Sequence, residues 1–198
     1  MVRKVLLLGS GKTALNVNDY DYKGNKWVIG TVNNAFRVTP QWDYAFFSKD
    51  FQKGKRPTHQ SLRDNQVMVD GENIVFASDP WGGLLKTGLS IVLQSSYWIL
   101  KNLKPDIIAY LGADMNYEPD KKGYTTFYGR GMDIAERGIS DPDHMAQMYG
   151  GGNPNYLIDI YKQLETNALG ENCALYNLSD DPKTRLPFHK KTPEEIDA

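Results

Sequence analysis

Short apolar runs recur along this chain, and small or amide residues end several of them. Residues 2–8, 27–32, 43–47, 73–77, 106–111 and 173–177 each read as a strand. Most are continuously apolar rather than alternating, the pattern of strands covered on both faces. Two longer stretches repeat at helical spacing instead. Residues 87–103 place Leu89, Val92, Leu93, Ser96, Ile99, Leu100 and Leu103 on one side, and Pro105 stops the helix. Residues 155–169 do the same with Leu157, Ile158, Ile160, Tyr161 and Leu164, and Gly170 is the expected C-cap. A weaker helix is expected after Thr13. Strands alternating with helices predict a single α/β domain over residues 1–198, Rossmann-like, with a mostly parallel sheet and helices on both faces. No internal repeat and no domain linker interrupts the pattern.

Two stretches fall outside it. Residues 118–153 are polar and rich in Gly, with Tyr124, Phe127, Tyr128 and Tyr149 among them. A segment of this length without elements of its own reads as a Gly/Tyr-rich lid over a ligand. Residues 187–198 are charged and read as an extended, loosely held tail.

Composition narrows the function. Of 198 residues, 40% are hydrophobic and 24% charged, which suits one folded domain. The net charge of −1 argues against a chain that mainly grips nucleic acid, while leaving room for a local basic groove. The single cysteine, Cys173, excludes a disulfide framework and a thiolate zinc cluster. No apolar run approaches the roughly 20 residues that span a bilayer. A cytoplasmic protein without membrane contact is expected. A homo-oligomer stays open.

The polar residues that follow the strands carry the candidate chemistry. In open α/β sheets, ligands lie outside the carboxyl ends of the strands. Gly9-Ser10-Gly11-Lys12-Thr13 follows the first strand. It is not a Walker loop, because Leu6 stands where that motif needs its first Gly. With Ala14 it satisfies the looser Gly-x-Gly-x-x-Ala pattern. Two glycines let backbone approach a ligand closely, with N–H groups facing it. An ordinary tight turn is the alternative. Asn33-Asn34 follows the second strand, and amides can read base edges or ribose hydroxyls. Ser48-Lys49-Asp50 follows the third. Asp114, after the fifth, binds a hydroxyl or a metal, or caps a turn. Asp141-Pro-Asp143 matches the short DxD metal pattern, common by chance. The three histidines are scattered and make a poor metal site, so no metal site is expected. His144 lies in the lid stretch, where a general base would sit.

These residues resemble a family. Gly9-Ser10-Gly11, Asn33-Asn34, Ser48-Lys49-Asp50, Lys86-Thr87-Gly88 and Leu111-Gly-Ala-Asp-Met-Asn-Tyr117 are similar in order and context to motifs of the small, Rossmann-like, metal-independent bacterial sialyltransferases. They are also similar to motility accessory factors and archaeal pterin pyrophosphokinase-like proteins. The likeness spans roughly residues 2–150 and is nearest to small bacteriophage proteins with Gly-Ser-Gly, Asn-Asn-Ala, Gly-Ala-Asp-Met and Phe-Tyr-Gly elements. The usual Asn-Gly-Pro-Ser turn is here Gly-Ser-Gly-Lys.

The resemblance implies a nucleotide or nucleotide-sugar ligand and no separate cofactor. Gly9, Ser10 and Gly11 would lie along the phosphates, and Asn33 or Asn34 would touch the nucleotide. Ser48 would add a polar contact. Thr87 and Gly88 would open a helix beside the nucleotide. Asp114 and Tyr117 would supply an acid and an aromatic. Tyr124 or Tyr128 would be the lid tyrosine, and His144 the catalytic histidine. The implied activity is glycosyl transfer from a cytidine nucleotide-sugar, by direct displacement without metal, to an acceptor such as a glycan or a modified base. Metal-dependent phosphoryl or pyrophosphoryl transfer and non-catalytic nucleotide binding are the alternatives.

Overall fold

The computed structural model describes residues 2–83, 90–116, 118, 121, 123–124, 126–128, 153 and 155–198. Seven strands form one parallel sheet in the order β4-β3-β2-β1-β5-β6-β7. They are β1 (Lys4–Leu8), β2 (Val28–Val32), β3 (Tyr44–Phe47), β4 (Val67–Asp70), β5 (Ile107–Leu111), β6 (Ala174–Asn177) and β7 (His189–Lys190). The chain winds outward from β1 to β4, then crosses back to lay β5 on the other side of β1. This is the expected Rossmann-like α/β domain. Its order reverses between β1 and β5, the place where such sheets open a crevice.

Side-chain parity builds the two faces. Val5, Leu7, Phe46, Ile108 and Tyr110 point into one core with α1 (Gly71–Ile74), α2 (Ile91–Leu103) and α3 (Tyr156–Gly170). Leu6, Leu8, Ala45, Phe47, Ala109 and Leu111 point into the other. That second face is covered by 3₁₀ segments, Lys12–Asp19 and Asn33–Arg37, with Ile196 of α4 (Pro193–Asp197) packed against it. The weak helix expected after Thr13 is thus a 3₁₀ segment. The buried pair Ala14 and Val17 shows its three-residue period. Tyr110 is fully buried on the helical side, and its hydroxyl donates to Ser96 Oγ at 2.8 Å, which ties β5 to α2.

Three expectations need correction. The strand expected at residues 73–77 lies earlier, at Val67–Asp70, in register with Tyr44 to Phe47. Residues 73–77 instead make a helical turn. Ile74 and Ala77, three apart, are buried, while Phe76 between them is 57% exposed. Gly170 does not cap α3 but ends it; the cap is Glu171, and the left-handed turn falls on Asn172 with φ 60°. The tail from Pro187 is docked rather than loose. Phe188 is buried with its ring 4.9 Å from that of Tyr110, β7 joins the sheet edge, and α4 starts with a capping box between Thr192 and Glu195.

Asp197 anchors this tail at the amino edge of the sheet. It accepts hydrogen bonds from Lys4 Nζ at 2.5 Å, from Trp27 Nε1 at 3.0 Å and from the Tyr20 hydroxyl. Burial alone would push its carboxyl up. The bonds from Lys4, Tyr20 and Trp27, with the Lys4 charge, overcome this and hold it below the ordinary value. A lowered folded pKa gives stability that is present above the unfolded value of about 3.9 and lost as pH falls through the folded value. Asp197→Asn should therefore cost about 1–3 kcal/mol at pH 7. The gap to wild type should close in acid. Urea unfolding at pH 7 and near pH 3 checks this, and a gap that persists unchanged in acid counts against the anchor.

Candidate functional site

The carboxyl ends of β1 and β5 meet in a backbone joint. Their ladder, which ends at Leu8 opposite Leu111, continues beyond both strands. Gly9 N donates to Leu111 O at 2.8 Å, and Gly11 N donates to Gly112 O at 2.7 Å. A Cβ on Gly9 would lie 2.2 Å from Gly112 O, and one on Gly11 would lie 2.5 Å from Asp114 Oδ2. Gly112 itself has φ 74°, where a side chain is strained, and its Cβ would meet Ala14. The glycines read from sequence as letting backbone approach a ligand instead let two loops approach each other. Their N–H groups are engaged in the joint.

Thr13 and Asp114 lock it. The Thr13 hydroxyl lies 2.8 and 2.9 Å from the two Asp114 carboxylate oxygens and accepts from Gly112 N at 3.0 Å. Asp114 is 5% exposed. Burial pushes its carboxyl up, and the nearby Asp181 and Asp180 add to this. Hydrogen bonds from Ser179 and Thr13 pull the other way without reversing it. The Asp114 carbonyl accepts from Arg185 N at 2.8 Å and from the Thr184 hydroxyl at 3.2 Å. One residue thus joins the loops after β1, β5 and β6.

The same edge carries the other sites read from sequence. Asn33 sits at φ 47°, and its Oδ1 accepts from Ser48 N at 3.0 Å, with Ser48 Oγ at 3.3 Å. Those two predicted ligand contacts therefore hold each other, bridging the ends of β2 and β3. Asn34 is fully buried, and its Oδ1 accepts from Arg37 Nε at 3.3 Å. Ser10 O accepts from Phe127 N at 3.3 Å, so Phe127 lies against the β1 turn. Tyr124 and Tyr128 are half-buried, and the Tyr128 ring meets that of Phe127 edge-on at 4.9 Å. Thr87, Gly88, Tyr117 and His144 lie outside the described residues, as do Asp141 and Asp143. So does most of the expected lid.

Sequence reasoning overlooked Thr13 and the loop after β6. There Asn177 Nδ2 donates to Thr184 Oγ1 at 3.2 Å, and Ser179 N donates to Asn177 Oδ1 at 2.9 Å. Applying the strand-end rule to residues 173–177 would have found Asn177 and Ser179. Among the described residues, no three His, Cys, Asp or Glu side chains are placed to hold a metal. No described helix is long and apolar enough to cross a membrane.

Thr13→Val should cost about 1–3 kcal/mol, because Asp114 and the Gly112 N–H each lose a buried partner. Thr13→Ser should recover most of it. Gly9→Ala should cost about as much or more, since the atom it meets is backbone. The raised Asp114 pKa sets a pH signature. Its contribution is full below the unfolded carboxyl value and is lost as pH rises through the folded one. The advantage of wild type over Asp114→Asn should therefore shrink from pH 4 to pH 7 in urea unfolding. An advantage that grows with pH would show the carboxylate itself to be stabilising.

No family model, curated protein or solved structure matches the chain in comparisons with known proteins.

Proposed function

We propose that the protein is a glycosyltransferase-like enzyme that binds a cytidine nucleotide-sugar across the carboxyl edge of its sheet. The observation that carries this reading is the reversal of strand order between β1 and β5, with polar side chains at the ends of β1, β2, β3, β5 and β6 all on that edge. Doubly wound sheets bind nucleotides at such a point. The resemblance to the sialyltransferase group supplies the donor class.

The joint refines how the donor would be held. Gly9 and Gly11 N–H groups face Leu111 and Gly112, so phosphate contacts fall to side chains above the joint. Ser10 and Ser48 lie at the edge for this, with Tyr128 beside Phe127 at the β1 turn, while Asn34, fully buried, steadies Arg37. In this scheme His144 takes the acceptor hydroxyl proton as that oxygen attacks the anomeric carbon. The carbon–phosphate oxygen bond breaks in the same step, and the nucleotide leaves with its electron pair. Asp114 acts as a positioning residue, because its carboxylate already accepts from Thr13 and Ser179. The scheme itself calls for no metal.

A thermal-shift series without magnesium tests the reading. Ligand at 100 times its Kd adds about 2.7 kcal/mol, a rise of roughly 5–10 °C for a domain of this size. CMP and its sugar conjugates should give such a rise, and donor hydrolysis should fall at least 100-fold in His144→Ala. A shift seen only with magnesium and a nucleoside triphosphate would move the reading to phosphoryl transfer. No shift with any nucleotide would overturn it.

A further inference from the structure

The sheet ends at β7 on one side and at β4 on the other. An edge strand presents a row of open N–H and C=O groups, and proteins guard such edges with very short strands, lysines or proline. β7 is guarded. It is two residues long, one of them Lys190, and Lys191 follows. β4 runs Val67-Met-Val-Asp70 after Gln66, with no Lys, Arg or Pro. Val67 is 46% exposed. α1 lies against β4, and Phe76, in the turn after α1, is exposed as well.

The register decides which groups β4 leaves open. Val67 N donates to Asp43 O at 2.8 Å, so Val67 and Val69 turn their main-chain groups to β3. By the two-residue period, Gln66, Met68 and Asp70 turn theirs outward. Among the described residues, none bonds the Met68 N–H or carbonyl there. The loop before β4 folds away from the edge, since Gln66 Nε2 donates to Pro40 O and Trp42 O, each at 3.0 Å. The two ends of the strand are complementary. Gln66 N is engaged with Arg63 O at 2.9 Å, which leaves its carbonyl. Asp70 is the N-cap of α1, so its carbonyl takes the first helical bond and its N–H is left. The Asp70 carboxylate pairs with Arg56 of the same chain, so the strand carries no unpaired charge.

We propose that a second copy of this chain docks here, β4 against β4, antiparallel about a two-fold axis at Met68, so that the two sheets become one. Open groups must face open groups, and this register sets Met68 opposite Met68 and Gln66 opposite Asp70. Each Met68 N–H donates to the other Met68 carbonyl, and each Asp70 N–H to the other Gln66 carbonyl. Every open main-chain group of the strand is then used. The neighbouring registers leave either the Met68 carbonyl or the Met68 N–H without a partner. Side chains agree with the pairing, since Val67 comes beside Val69 of the second copy on the helical face and the two Met68 side chains meet on the other. Asp64 and Glu72 flank the strand and repel across solvent, so the contact is of the small, weak class and firms as salt screens them. The pairing is independent of the transferase reading.

Sedimentation velocity on the full chain, from about 5 to about 500 µM, tests the proposal. Wild type should pass reversibly from monomer toward dimer, further at about 0.5 M salt than at about 0.05 M. Hydrogen exchange at the two ends of that range should show protection gained at Val67–Asp70 and none at β7. Val67→Lys places a guarding charge on an exposed side chain and should weaken association about tenfold or more. Met68→Pro removes an outward N–H that no strand of the same chain uses, and proline is tolerated at such edge positions. It should leave the protein monomeric throughout. Val2→Lys, at an exposed apolar residue elsewhere, should change nothing. Circular dichroism melts confirm that each variant folds.

A monomer at every concentration and both salts overturns the proposal. So does a dimer that Val67→Lys leaves intact, or one that Val2→Lys weakens equally, which marks unspecific apolar adhesion. Protection gained elsewhere with none at β4 overturns it too. Should Met68→Pro fail to fold, Val67→Lys and the exchange pattern of wild type decide the matter without it.

Discussion

The carboxyl edge depends on the direct backbone contact between the β1 turn and the end of β5. Gly9, Gly11 and Gly112 bring two loops within hydrogen-bonding distance where most side chains would hold them apart. Once there, Thr13 and Asp114 close the gap, and the Asp114 carbonyl and carboxylate reach on to the loop after β6. A doubly wound sheet opens a crevice at this reversal of strand order. Here the floor of that crevice is sealed by protein. The Gly9 and Gly11 N–H groups are therefore turned to protein, and the polar side chains at the rim are what this edge presents. The Asn33–Ser48 bond and the Gly71 contact with Lys49 extend the same principle, so that adjacent strand ends brace one another. Rigid rims of this sort hold polar groups in fixed positions, which binding requires.

The opposite edge is closed by different means. α-Helices cover one face, whereas 3₁₀ segments and irregular chain cover the other. A 3₁₀ segment buries less per residue than a long amphipathic helix. Aromatic side chains make up the difference, with Tyr22, Trp27, Trp42, Phe47 and Phe51 all buried there. Their polar tips need partners, and Asp197 provides one for Trp27 and for Tyr20. The C-terminal helix is thus part of the core cover. A tail that reads as solvent-facing from its charge is held by one carboxylate that accepts from three side chains.

What the sequence disclosed, and what it hid, follows from this. Strands buried on both faces show as unbroken apolar runs, so β1, β2, β3, β5 and β6 were legible within one residue at most ends. β4 was not, because an edge strand is short and half-exposed, and the stronger apolar run at residues 73–77 drew attention away from it. Its three-residue period was the available signal. The tail hid because Leu186, Phe188 and Ile196 each fill a separate gap and form no run. For the site, the rule of polar residues after apolar strands located Gly9, Asn33, Asn34, Ser48 and Asp114 on one edge, since parallel strands must end together. It could not say whether those residues face a ligand or each other. Gly9, Asn33 and Asp114 are all engaged with neighbouring loops, a tertiary fact with no local sequence signature.

That engagement also decides which groups at this edge could meet an anion. In a phosphate-binding turn after β1, backbone N–H groups and a helix N-terminus provide the positive field. In this β1 turn the Gly9 and Gly11 N–H groups are bonded to the β5 end, and a 3₁₀ segment rather than an α-helix follows. The rim side chains are fixed in the same way as the joint. Asn33 holds Ser48, and Arg37 donates to Asn34 and to Lys55 O, so the loops after β2 and β3 brace each other as those after β1 and β5 do. An anion at this edge would meet side chains already placed by these bonds, not backbone N–H groups of the two glycines.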